Sequence, residues 1–320
     1  MNTNKLLLTL NIFTVFTLLF YIVYSEFGKS PVVIENVDRT SSPSVFNANP
    51  GEPVVYSSKT VMIDLPDSLT FAGEKVPMDI PDVRERLDRE IHINTYWHNN
   101  SIFLFKRANR WLPQIEEILK EKGVPDDFKY LCAIESGFQN VVSPAGAVGF
   151  WQFLKETGKE YGLEVDKQVD ERYDPIKATY AACDYLLNAH EDLGNWTLVA
   201  ASYNRGLSGV KRALENQKVD NYYDLMLNEE TSRYVFRILA CKELLQSPSD
   251  YGFEIKEEDL YSVIETKKVT VKETIPDLVE FALNQGINYK LLKAYNQWLR
   301  DDKLTVKEGE EYDIWIPVRK

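Results

Sequence analysis

Val83, Leu87 and Ile91 stand four positions apart, and from there to Leu245 apolar residues keep returning at the spacing that sets one face of an α-helix against a core. Punctuation divides this run. Ser101 is placed to cap a helix from Ile102 to Arg110, and Pro113 opens a turn that leads to Ile115, Ile118 and Leu119, with Gly123 as the stop. Further helices are expected at Phe128 to Ser136, Ala178 to His190, Trp196 to Tyr203 and Thr231 to Leu245. Residues 81–253 therefore read as a compact all-α domain. Beyond Gly252 the period changes: Val269 to Val271 alternates like a strand, Ile275 to Gly286 and Tyr289 to Leu299 read as short helices, and Tyr312 to Val318 as a closing strand. The expected fold class is mainly α, with a small βααβ domain over residues 262–320.

Ahead of the helices, Lys5 precedes an uncharged, mostly apolar run from Leu6 to Tyr24. At ~1.5 Å per residue this run just spans a hydrocarbon core. Residues 1–24 are thus expected to be an uncleaved membrane anchor, or else a signal segment cleaved near Val23 and Ser25, and either one exports the rest. Residues 25–80 form a linker: a Ser-, Asn- and Pro-rich tether, then a stretch broken by Pro66, Pro77 and Pro81 that should wrap the domain in extended form without a regular element.

Composition removes several functions. A formal net charge of -12 repels phosphate backbones, so no nucleic-acid partner is expected. Cys132, Cys183 and Cys241 all fall in helical, apolar contexts and read as small buried hydrophobes. His92, His98 and His190 have no partners at metal-ligand spacing, so neither a metal nor a cofactor is expected.

Chemistry concentrates on the helix that follows Pro125. Phe128, Leu131, Cys132 and Glu135 share one stripe, which turns the carboxylate toward the core side. Apolar neighbours make an acid harder to ionise and keep it able to donate a proton near neutral pH. Most helical glutamates are solvated, however, so spacing alone leaves a second reading in which Glu135 bends back to water ahead of Gly137. Two neighbouring segments favour the first. Ser143 to Phe153 is a turn-rich loop that ends in an aromatic and amide cluster, and Ala200 to Gly206 closes another helix. Trp151 and Tyr203 suit the apolar faces of sugars, while Gln152 and Asn204 suit acetamido and hydroxyl groups.

Four segments then carry a resemblance: Glu135-Ser136, Gly149-Phe150-Trp151-Gln152, Ser202-Tyr203-Asn204, and Glu230-Thr231 followed by Tyr234-Val235. In this order and rough spacing they resemble the family 1 lytic transglycosylases, over about Arg84 to Phe253. The chain departs from the family pattern at Phe150-Trp151, where Leu-Met is favoured, and at Ser202, where Ala is usual; both changes bear on subsite preference. The resemblance implies a lysozyme-like fold of the goose-type and SLT kind, with Glu135 at the floor of a long groove. It implies peptidoglycan glycan strands as partner and substrate; the location expected from the N-terminal segment is the periplasm, tethered to the inner membrane by an uncleaved anchor. Glu135 would be the catalytic acid and then base, with the muramyl 6-hydroxyl attacking C1 to leave a 1,6-anhydro ring. Ser136, Gln152, Asn204 and Tyr234 would orient acid and sugar, and Gly149, Phe150, Trp151 and Tyr203 complete the expected substrate-binding set. Residues 262–320 resemble a LysM module, carried by Leu292, Asn296 and Trp315-Ile316-Pro317, although Lys272-Glu273-Thr274 replaces the usual Gly-Asp-Thr turn. Both a wall-binding role and a structural cap on the catalytic domain fit it. The rival enzyme, a goose-type lysozyme, would need a second carboxylate to activate water, with Glu156, Asp170 and Glu230 as candidates; the rival from another class is a non-catalytic peptidoglycan-binding protein that keeps the groove without turnover.

Overall fold

Helix α1 (Pro81–Tyr96) forms because Pro81 supplies a preset first turn and because Val83, Leu87 and Ile91 line one face. All three are fully buried. The computed structural model describes residues 61–318, so the apolar run from Leu6 to Tyr24 and the Ser-, Asn- and Pro-rich tether lie outside the described residues. Among those described, no helix is long and apolar enough to cross a membrane.

Helix α2 (His98–Lys122) corrects one expectation, since it runs unbroken where the sequence suggested a cap at Ser101 and a turn at Pro113. The Ser101 hydroxyl donates 2.6 Å to the carbonyl of Asn94 and so locks the α1–α2 corner. Pro113 removes one N–H from the helix ladder, but the carbonyl that loses its partner belongs to exposed Asn109, where water can satisfy it. Gly123 ends the helix in the left-handed region (φ 73°), as its position suggested.

Helix α3 (Phe128–Ser136) is the short helix at the centre of the domain, and almost every side chain on it is buried. Even Lys129 lies inside, held by Glu116 at 2.7 Å and Asp126 at 2.5 Å. Around it stand α4 (Lys155–Glu160), α5 (Pro175–Leu193), α6 (Trp196–Arg205), α7 (Leu207–Gln217) and α8 (Glu229–Gln246). Helix α8 packs against α1, α3 and α6. Phe128, Leu131, Val235, Phe236 and Leu239 are fully buried at this junction, each worth roughly 1.5–3 kcal/mol.

The segment before α1 is more regular than expected. Strands β1 (Thr70–Phe71) and β2 (Glu74–Lys75) close a small hairpin that plugs Phe71 into the core. Glu74 on this hairpin accepts from the backbone N–H of Trp196 at 2.6 Å and of Thr197 at 2.9 Å, supplying an anionic cap to α6.

In the C-terminal domain, β3 (Thr266–Val271) and β4 (Tyr312–Pro317) pair antiparallel, and α9 (Leu278–Asn284) and α10 (Tyr289–Tyr295) lie between them in sequence. Leu278, Leu292, Leu299, Leu304 and Ile314 fill its core. Buried Asn296 fastens β4, donating 2.7 Å to the Trp315 carbonyl and accepting 2.7 Å from its N–H. The domain is fixed to the helical one along residues 164–173. Arg300 N–H bonds Gln168 O at 2.7 Å, Asp170 N–H bonds Trp298 O at 2.9 Å, and the Tyr312 hydroxyl donates 2.8 Å to Glu164. Val169 belongs to the C-terminal core itself.

Candidate active site

Glu135 occupies the last turn of α3, and Gly137 (φ 58°) stops the helix two residues later. The carboxyl group is half-buried and borders a cleft of about 690 Å³. The end of α3 forms one part of the cleft's lining, with α1, the α1–α2 corner and the first turns of α8 around it. Burial raises the pKa of Glu135 above the usual carboxylate range; a hydrogen bond from Tyr234 and the charge of Arg237 oppose the shift, and Glu230 adds to it. The Tyr234 hydroxyl donates to Oε1 of Glu135. Burial and the Glu135 charge push that phenol well above its ordinary pKa, so it stays a donor. Among the described residues Oε2 has no protein partner, which leaves it available to a ligand in the cleft.

Ser136 is buried and donates 2.8 Å to the carbonyl of Phe150, tying the acid-bearing helix to the loop that follows. Gly149 in that loop has φ 83°, and an added Cβ would sit 1.8 Å from the carbonyl oxygen of Arg172. No other residue fits. Arg172 is buried against Asp170 (2.8 Å) and also donates 3.1 Å to Phe153 O, so the loop rests on a fixed ion pair.

The aromatic expectations need correction. Trp151 is fully buried and its indole N–H donates 2.9 Å to Thr179, so its ring belongs to the core and not to a sugar face. Phe150 is likewise buried, edge-on to Trp111 at 5.0 Å. Tyr203 is half-buried and spends its hydroxyl on the Trp151 carbonyl at 2.7 Å, which makes it a brace for the loop. Gln152 and Asn204 stand one residue back from the cleft lining. Gln152, with φ 50°, turns its amide onto Val141 O (3.1 Å) and Gly149 O (2.7 Å). Asn204 donates 3.0 Å to Glu230 and accepts 2.7 Å from Thr231. Val141 and Glu230 themselves border the cleft with Glu135.

The three candidate second carboxylates separate cleanly. Asp170 is consumed by Arg172, and Glu156 lies exposed on α4, outside the lining of the cleft. Only Glu230 shares the cleft with Glu135.

Sequence reasoning missed Glu90, which is 1% exposed and held by Arg233 at 2.6 and 3.2 Å on the cleft wall. A signal existed, because Glu90 falls seven residues after Val83 on the apolar stripe of α1, where a charge demands a partner. Arg237, which donates 3.0 Å to Ile134 O beside the acid, carried no comparable sign. Among the described residues no group of His, Cys, Asp or Glu is arranged to hold a metal ion.

A mainly helical domain with a half-buried acid at a cleft, followed by a small two-stranded domain, agrees with two family models. Residues 113–226 match the transglycosylase SLT domain, and residues 267–320 match the soluble lytic transglycosylase C-terminal LysM-like domain. The chain thus carries an SLT domain and a LysM-like domain. It is similar to the membrane-bound lytic murein transglycosylase D of Escherichia coli (strain K12), with 27% identity over 291 residues, covering 86% of this chain and 62% of that protein. The protein of the same name from Escherichia coli O6:H1 (strain CFT073) matches with the same 27% identity and the same coverage. The chain therefore spans less than two thirds of the length of these relatives.

Proposed function

We propose that this protein cleaves peptidoglycan glycan strands as a lytic transglycosylase, with Glu135 as the group that moves the proton. The observation that carries the reading is the Glu135 carboxyl itself: raised in pKa by burial, fixed through Oε1 by Tyr234, and on a residue that lines a cleft, inside a matched SLT domain. A neutral Glu135 protonates the departing glycosidic oxygen between N-acetylmuramic acid and N-acetylglucosamine. The resulting carboxylate then takes the proton of the muramyl 6-hydroxyl as that oxygen closes on C1, giving a 1,6-anhydro end. An intramolecular hydroxyl can act at an effective molarity on the order of 10⁵ M or more, so no second carboxylate is needed. Ser136 and Tyr234 hold the acid, while Gln152, Asn204 and Tyr203 fix the segments that border the cleft.

A second reading rests on Glu230, which borders the same cleft and could activate water for hydrolysis in the manner of a goose-type lysozyme. Mass spectrometry of the products separates the two. Anhydro-muramyl ends are expected from purified sacculi, and reducing ends alone would favour hydrolysis and end the transglycosylase reading. The location proposed is the periplasmic face of the inner membrane, through residues 1–24, in keeping with the membrane-bound relatives. Recovery of the full-length protein in the soluble fraction after cell lysis would refute the anchor.

A further inference from the structure

Trp97 lies on the cleft wall with 60% of its surface open, and among the described residues its ring has no hydrogen-bond or aromatic partner. It forms the corner between α1 and α2, where its backbone is held firmly. Its N–H bonds Ile93 O at 3.0 Å, and its carbonyl accepts from the N–H groups of Asn100 and Ser101 at 3.0 and 3.2 Å. The side chain, by contrast, contributes little to the core. A large aromatic surface left in water forgoes the burial that usually keeps a tryptophan in a fold, so its place on a wall of the cleft that holds Glu135 calls for a ligand.

The surroundings specify which kind. Ile93, 38% exposed and one turn earlier on α1, continues the apolar strip along the same wall. Two amides flank it. Asn94 gives its NH₂ to Glu90 O at 2.8 Å, leaving its side-chain oxygen unengaged, and the Asn100 amide has no partner among the described residues. The charged side chains of Glu229, Glu230, Arg233 and Arg237 on α8 line the same cleft. A flat apolar surface edged by amides matches an N-acetylhexosamine ring, whose axial C–H face is apolar and whose rim carries hydroxyl and acetamido groups.

We propose that Trp97 is the stacking platform of a sugar subsite in the Glu135 cleft, with Asn94 and Asn100 hydrogen-bonding the rim of the bound N-acetylhexosamine. This rests on the glycan-cleaving reading and deepens it by placing one subsite on the α1–α2 corner. Binding there is equal in ground and transition states, so losing it raises KM and spares kcat.

The test uses the full chain and soluble, uncrosslinked peptidoglycan strands, with KM and kcat measured for the parent, Trp97→Ala and Trp97→Phe. Thermal melting confirms that each variant is folded. Trp97→Ala is expected to raise KM about five- to tenfold, the scale of one aromatic contact, with kcat within about twofold, and Trp97→Phe to recover most of the loss. An unchanged KM in Trp97→Ala, in a series where the parent cleaves, overturns the subsite and leaves the glycan reading standing. No cleavage by the parent overturns that reading and the subsite with it.

Discussion

Gly149 offers a quantitative test of how the loop behind the candidate site is held. Gly146 and Gly149 lie in the same loop with nearly the same backbone angle, φ 80° and 83°, yet an added Cβ at Gly146 meets nothing within 4 Å, whereas at Gly149 it meets Arg172 O at 1.8 Å. Alanine at either position carries the left-handed penalty of about 1–2 kcal/mol. Only at Gly149 must something also move. Arg172 is fastened by Asp170 and by the Phe153 carbonyl, so the overlap cannot be relieved by a flexible side chain, and the strain adds about 1–3 kcal/mol. Gly149→Ala is thus expected to destabilise by about 2–5 kcal/mol and Gly146→Ala by about 1–2 kcal/mol. Urea denaturation followed by circular dichroism reads both. Equal losses in the two variants would show that the loop does not rest on the Arg172 carbonyl, and the account of how Ser136 and Gln152 are positioned would fail with it.

Two further predictions follow from the same geometry. Tyr234→Phe removes the hydrogen bond that lowers the pKa of Glu135, so that pKa rises further and the acid stays protonated to higher pH; the alkaline limb of the kcat/KM profile should move upward, and a downward shift would contradict the assignment. Deleting residues 262–320 bares the apolar side chains of Val169 and Tyr173 and leaves the Asp170 N–H and Gln168 O to water, so the helical domain should lose roughly 1.5–3 kcal/mol, the scale of one buried apolar side chain. An unchanged denaturation midpoint would mean that the LysM-like domain is a mere appendage.

Helix α3 was legible in the sequence because its stripe of Phe128, Leu131, Cys132 and Glu135 has one period and no competing signal, and the βααβ order was legible from its change of period. Trp151 was not. An aromatic after a glycine-rich turn looks the same in sequence whether it faces the core or a ligand, and the partner that decides, Thr179, lies 28 residues away. The single helix through Pro113 was hidden because tolerance of a missing N–H depends on the exposure of one carbonyl. Glu74 caps α6 from 122 residues upstream, a pairing that no local pattern contains. Trp97 was passed over for a related reason: as the residue that joins two helices it reads as ordinary packing, and only its exposure at the cleft marks it out.

The most direct test is the rate at which Glu135→Gln releases soluble fragments from purified sacculi. Glutamine keeps the shape and can still accept from Tyr234, but it has no proton to give, so the rate should fall at least ~10²-fold, the scale of general acid–base catalysis, in a protein that remains folded. Release at the parent rate would contradict the assignment of Glu135 as the proton-transfer group.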